Sequence, residues 1–181
     1  MGFQGLWGGP FLIDVYKMPK STAGIMLMLI GAGTIAGALI FGRISDIIRL
    51  KKTILILGNA GFTIAWLPLV IATSSLDISL IYPILFLLGF FSSTGPIGYA
   101  IIKDLFPLRM TGLATSVVNV FPFFGAALFQ TVMGYLMDSV GMVGSAYPPE
   151  AYQLSFEFCF FASIFSIICV LFVKEKPSED R

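Results

Sequence analysis

The sequence predicts an all-α integral membrane protein, a bundle of six spanning helices with the first one incomplete. Three observations carry that expectation. Of its 181 residues 57% are hydrophobic and only 12% charged, where a soluble domain carries about a quarter charged residues. Mean hydropathy is +0.92 for a 19.7 kDa chain, more apolar surface than one small globular core could remove from water. The apolar residues also fall into stretches of about 20, the length that crosses a bilayer as a helix.

Five such stretches are complete: Ala23–Phe41, Thr53–Thr73, Ile78–Ile102, Thr111–Met137 and Leu154–Val173. Ahead of them lies Met1–Tyr16, apolar but interrupted by Gly2, Gly5, Gly8, Gly9 and Pro10. As a helix it reaches only about 24 Å, short of a hydrocarbon core of roughly 30 Å. A cleaved signal peptide would begin with basic residues, whereas the first charge here is Asp14. Residues 1–16 are therefore expected to be the second half of a spanning helix whose beginning is missing. Residues 174–181 form a polar tail, and 1–181 make one transmembrane domain.

The charges alternate between connections. Arg43, Arg49, Lys51, Lys52, Lys103, Arg109, Lys174, Lys176 and Arg181 fall in one set, and only Lys17 and Lys20 in the other. Positive residues concentrate on the cytoplasmic side. The set of nine and the C-terminus are thus expected to face the cytoplasm, in a plasma or inner membrane.

Composition excludes several function classes. A net charge of +1 supplies no field for nucleic acid. There is no histidine, so no imidazole base or ligand. Cys159 and Cys169 lie ten residues apart and point to different sides of a helix, which suits neither a bridge nor a metal site. No Asp, Glu, Lys or Arg lies well inside the five full spans; Asp14 and Glu157 sit at span ends. Catalysis in the membrane would need clustered acid–base groups or a metal. An enzyme is not expected, nor is a cofactor.

What remains inside the spans is small or neutral polar. Gly33-x-x-x-Gly37 and Ala32-x-x-x-Ala36 are spaced for close helix approach. Pro10, Pro68, Pro83, Pro96 and Pro122 lie in or near spans, where each removes a backbone donor and favours a kink. Pro96 and Pro122 coincide with the most polar parts of their helices. On the fifth helix Ser116, Asn119, Phe123, Ala127 and Gln130 form a stripe, with Asn119 and Gln130 within roughly 20° of one direction. Ser92, Gly95, Pro96 and Tyr99 make a second stripe, and Gln4, Trp7 and Gly8 a third. Each stripe serves either interhelical hydrogen bonding or a polar cavity. As a set they nominate Gln4, Trp7, Ser92, Tyr99, Asn119, Phe123 and Gln130 as lining a solute pathway.

Gly42-Arg43-Ile44-Ser45-Asp46 followed by Lys51-Lys52 resembles the cytoplasmic signature of the major facilitator superfamily, written roughly G-x-L-[AS]-D-R-x-G-R-[KR]. Gly42, Ser45, Asp46 and Lys51 match, with departures at Ile47, Arg49 and Leu50. Lys103-Asp104-Leu105-Phe106-Pro107-Leu108-Arg109-Met110-Thr111-Gly112-Leu113-Ala114 is similar to the segment before helix eleven of that family. The run through Asn119, Gly125, Gln130, Gly134 and Asp138 resembles helix eleven itself. Phe3–Pro10 looks like the outer half of helix seven. Gly95-Pro96-x-Gly98 has the look of the family's antiporter signature, but by order it lies on helix ten, where that signature does not belong.

The resemblance implies helices seven to twelve of a twelve-span secondary transporter. Its implied partners are a small-molecule solute, the lipid bilayer and a missing N-terminal six-helix half, on the same polypeptide or a separate chain. It implies a cytoplasmic gate at Gly42, Arg43, Asp46, Lys51, Asp104 and Arg109, with Asp46 approaching the positive end of a helix in the other half. Two other readings stay open: a half-transporter acting as a homo- or hetero-oligomer, and a membrane assembly subunit that transports nothing.

Overall fold

The computed structural model describes residues 6–48 and 50–175. Its helices are α1 (Gly8–Asp14), α2 (Lys20–Ile48), α3 (Lys51–Ile71), α4 (Ile78–Ser92), α5 (Gly95–Leu105), α6 (Leu108–Val140) and α7 (Pro149–Leu171). Among the described residues there is no strand, only an isolated bridge between Val143 and Ala146. Five helical stretches are long and apolar enough to cross a membrane, with Ile78–Leu105 counting as one. In lipid this is the natural outcome, since a helix satisfies its own backbone polar groups.

Helix α2 has 29 residues and α6 has 33, or about 43 and 50 Å at 1.5 Å per residue. Both exceed the hydrocarbon thickness, so their ends continue as helix beyond the apolar stretch. Gly42, Arg43 and Asp46, read from the sequence as part of a connection, accordingly ride on the last turns of α2.

Residues 78–105 are interrupted after Ser92. Three successive hydroxyls turn back to carbonyls three residues earlier: Ser92 Oγ to Gly89 O at 2.8 Å, Ser93 Oγ to Phe90 O at 2.6 Å and Thr94 Oγ1 to Phe91 O at 3.0 Å. Pro96 then opens α5 near its first turn, where a missing N–H costs nothing. Pro68, Pro83 and Pro122 sit inside helices that carry on past them. The break therefore needs the hydroxyl triplet and Gly95 as well as the proline.

Small residues set the tightest packing. A Cβ on Gly33 would lie 2.1 Å from Phe86 O, and one on Gly89 1.9 Å from Ile30 O. Gly37 meets Phe90 O and Ser93 Oγ in the same way. Helices α2 and α4 thus touch backbone to backbone, as the Gly33-x-x-x-Gly37 spacing implied. Helix α3 packs along α7 and α4, and α6 along α7. The core runs through Phe11, Leu12, Leu69, Leu85, Met133 and Phe156. On α6 only Met133 and Met137 are buried, and Val120, Phe121, Phe123 and Phe124 stand exposed.

Candidate functional site

Two of the nominated pathway residues meet directly. Tyr99 on α5 donates from its hydroxyl to Asn119 Oδ1 on α6 at 2.8 Å. Asn119 lies on the exposed face of α6, with Ser116 and Phe123 beside it. Ser116 Oγ donates within its own helix, to Gly112 O at 2.9 Å. Gln130 is half-buried farther along α6. Ser92 sits at the α4–α5 break, turned back on its own helix.

Trp7 belongs to different surroundings. It is half-buried beside Gly134, where a Cβ would meet its ring at 3.4 Å, and lies edge-on to Tyr147 at 6.3 Å. Its indole N–H is enclosed with no acceptor among the described residues. Gln4 lies outside the described residues.

A cavity of about 380 Å³ opens between α3, α4, α6 and α7. Its walls include Phe62, Trp66, Phe129 and Met133, with polar points at Ser92 and Asn59. Asn59 accepts from Ser166 Oγ at 2.9 Å and donates to Leu55 O at 2.8 Å, so a polar pair crosses from α3 to α7 at the cavity wall. The sequence reading passed over Asn59. Its signal was there, since it is the sole amide side chain between Thr53 and Thr73.

At the end of the bundle where α2 gives way to α3, charged groups interlock. Lys51 Nζ reaches Asp104 Oδ2 at 2.6 Å, joining two of the nominated gate residues. Glu175 accepts the backbone N–H groups of Lys51 and Lys52 at 2.8 and 3.1 Å. Lys52 Nζ donates to Leu171 O at 2.7 Å. The other gate nominees, Gly42, Arg43, Asp46 and Arg109, are exposed. Among the described residues neither Arg43 nor Asp46 makes an ion pair. Glu175 was not foreseen, because a tail carboxylate gives no local sign of a helix start 124 residues away.

Comparison with known proteins bears on this arrangement. A family model described as Major Facilitator Superfamily matches residues 3–181. The chain is 25% identical over 182 residues to a Bacillus subtilis (strain 168) protein named "Putative metabolite transport protein YwtG", covering 92% of this chain and 37% of that protein. It is 33% identical over 95 residues to a Bos taurus protein named "Solute carrier family 2, facilitated glucose transporter member 8", covering 52% of this chain and 19% of that protein. The chain thus spans little more than a third of the first relative's length. No solved structure gives a significant match.

Proposed function

The chain belongs to the major facilitator superfamily, and on that premise we propose that it forms the C-terminal six-helix half of a secondary transporter for a small neutral organic solute. It is a multi-pass membrane protein. In the proposed mechanism solute binds near the bilayer midplane between this bundle and an N-terminal half, and the two rock to expose the site to either side in turn. The nine-to-two division of positive residues supports a cytoplasmic C-terminus and a cytoplasmic Lys51–Asp104 end.

The observation that carries the reading is the Tyr99–Asn119 hydrogen bond at 2.8 Å on the exposed face of α6. A neutral donor and acceptor on a face whose neighbouring side chains, Ser116 and Phe123, are uncharged suit hydroxyl recognition better than charge recognition. A relative named as a glucose transporter makes sugars the first solutes to test. Coupling to an ion is, on this reading, assigned to the other half; within α7 Glu157 stands two turns from the helix start, accepting from Gln153 Nε2 at 3.2 Å.

Uptake into proteoliposomes by the transporter carrying both halves tests this. Asn119→Ala and Tyr99→Phe are each expected to raise KM for the transported sugar about tenfold, the loss of one hydrogen bond in a shielded site. Unchanged KM in both variants would move the pathway off this face. Asp46→Asn is expected to slow cycling with little change in KM, and unchanged transport would remove Asp46 from the gate. Transport by the 181-residue chain alone would replace the half-transporter reading with that of an oligomer.

A further inference from the structure

The cavity between α3, α4, α6 and α7 has no part in the transport reading. It lies within the bundle, whereas the proposed solute path follows the face of α6 that carries Asn119. On α6 its walls are Pro122, Gly125, Ala126, Phe129 and Met133, steps of three and four residues that keep to one side of a helix. At about 100° per residue, Asn119, Phe123 and Gln130 stand roughly a quarter turn away from that side. Much of the remaining wall comes from α3 and α7, which hold none of the nominated pathway residues; Ser92 of α4 is the one nominee the cavity shares. Asn59 and Trp66 lie eight and fifteen residues into α3, about 12 and 22 Å from its start. In a hydrocarbon core of roughly 30 Å the cavity therefore sits at mid-depth.

The lining decides what fits. A volume of about 380 Å³ falls at the small end of ligand pockets, which run from about 300 to 1,000 Å³. A Cβ on Gly125 would meet nothing within 4 Å, so α6 leaves room at this level. Phe62, Trp66 and Phe129 present aromatic surface, and no charged side chain is among the described walls. An ion or a charged headgroup would be left uncompensated here. The polar points share one chemical sense. Ser166 Oγ donates its proton to Asn59 Oδ1, Ser163 Oγ to Phe160 O and Ser92 Oγ to Gly89 O. Each of these hydroxyls then retains only the capacity to accept. The Asn59 amide has two N–H groups and commits one to Leu55 O. The cavity accordingly sets one amide donor against several hydroxyl acceptors. A ligand hydroxyl, donor and acceptor at once, matches both; a plain hydrocarbon chain would match neither.

We propose that this cavity is a binding site separate from the solute path, taking a small neutral ring compound with one hydroxyl group, a phenol or cyclic alcohol that partitions into the bilayer. The ring lies against Phe62, Trp66 and Phe129. The hydroxyl accepts from Asn59 Nδ2 and donates to Ser166 or Ser163 Oγ. The site stands whatever solute the pathway carries.

Fluorescence of the chain in lipid nanodiscs tests the site, because Trp66 lines the cavity and the only other tryptophan is Trp7. In a Trp7→Phe background the probe is para-bromophenol, whose bromine quenches on contact. Bromobenzene supplies the same ring without the hydroxyl. Quenching of Trp66 by para-bromophenol is expected to saturate, above a linear part from probe dissolved in the lipid. At equal concentration in the bilayer, bromobenzene should need about tenfold more for half-saturation, having lost the hydroxyl's hydrogen bonds. Asn59→Leu should remove that preference. Gly125→Leu, which fills the cavity from α6, should remove the saturable part itself. Linear quenching alone by para-bromophenol would overturn the proposal. So would equal half-saturation by the two probes, which would make the cavity a slot for acyl chains. Saturable quenching that persists in Gly125→Leu would place the probe elsewhere and overturn it too. If Gly125→Leu does not fold, Ala162→Phe closes the cavity from α7 and decides in its place.

Discussion

Lys51 Nζ lies 2.6 Å from Asp104 Oδ2, which ties the first residue of α3 to the last turn of α5. The two side chains are only 16% and 17% exposed, so the pair is screened less than an ordinary surface pair. Exposed pairs are worth between nothing and about 1 kcal/mol; this one belongs at the upper end. A double-mutant cycle with Lys51→Ala and Asp104→Ala, unfolded in detergent, should give a coupling of about 1 kcal/mol. The coupling should shrink as ionic strength rises. Zero coupling at low salt would mean that the pair does not form in solution.

The backbone contact between α2 and α4 makes a sharper claim. A methyl group on Gly33 or Gly89 would press on a carbonyl oxygen, at 2.1 and 1.9 Å, and neither oxygen can rotate aside. Gly33→Ala and Gly89→Ala should each destabilise the bundle by about 1–3 kcal/mol, the usual result of overpacking. Gly31, on the same helix, has open space around it. Gly31→Ala should stabilise by up to about 1 kcal/mol through helix propensity. Equal effects at Gly31 and Gly33 in chemical unfolding would refute the close approach.

These contacts show what a sequence can and cannot disclose. Hydropathy reveals the fold class because the bilayer leaves the backbone few choices. Gly33 and Gly37 were legible as a packing face because two small residues one turn apart form a pattern. Gly89, which lets α4 approach the backbone of Ile30, is a single glycine and forms none. The α4–α5 break was half legible: Pro96 and Pro122 look alike as prolines in polar surroundings, but only Pro96 follows three hydroxyls and a glycine. Tyr99 and Asn119 were picked from separate stripes, and periodicity alone does not say which residues of two helices meet. Asn59 with Ser166, and Glu175 with Lys51, join positions 107 and 124 apart. Tertiary packing decides such pairs, and no local pattern encodes them. Asp46 shows the converse, a legible motif residue that this bundle leaves exposed.

The start of α4 should respond to acid. Asp77 is its N-cap, accepting from the Ser79 backbone N–H at 2.8 Å and the Ser79 hydroxyl at 2.7 Å. These bonds, the backbone one foremost, hold the carboxyl below its usual range. A carboxyl lowered by folding lends stability above its unfolded pKa of about 3.9, and that stability fades as pH falls through the folded value. Exchange of the amides of residues 79–82 should therefore speed up in acid beyond its intrinsic pH dependence. Asp77→Asn keeps an acceptor and should abolish that extra acid response. Asp77→Ala should show fast exchange at every pH. Identical pH profiles in wild type and Asp77→Asn would rule out the cap as the source.

The tail makes the last prediction. Helix α3 begins after Leu50, which offers no side-chain acceptor, leaving its first N–H groups without a partner from the helix itself. Glu175 supplies one oxygen to Lys51 N and the other to Lys52 N, placing negative charge at the positive end of the helix dipole. Lys52 answers by donating to Leu171 O at the end of α7, where carbonyls lack partners and a cation is favoured. The two helix ends thus cap each other through side chains of opposite charge. Glu175→Gln keeps the acceptor and loses the charge, so it should cost about 0.5–1 kcal/mol. Glu175→Ala loses both and should cost about 1–2 kcal/mol. Ending the chain after Lys174 should match Glu175→Ala in thermal unfolding, because the contribution assigned to the tail is this carboxylate. A larger loss on truncation would place further contacts beyond Glu175, and no loss in either variant would show the cap to be unoccupied in the folded chain.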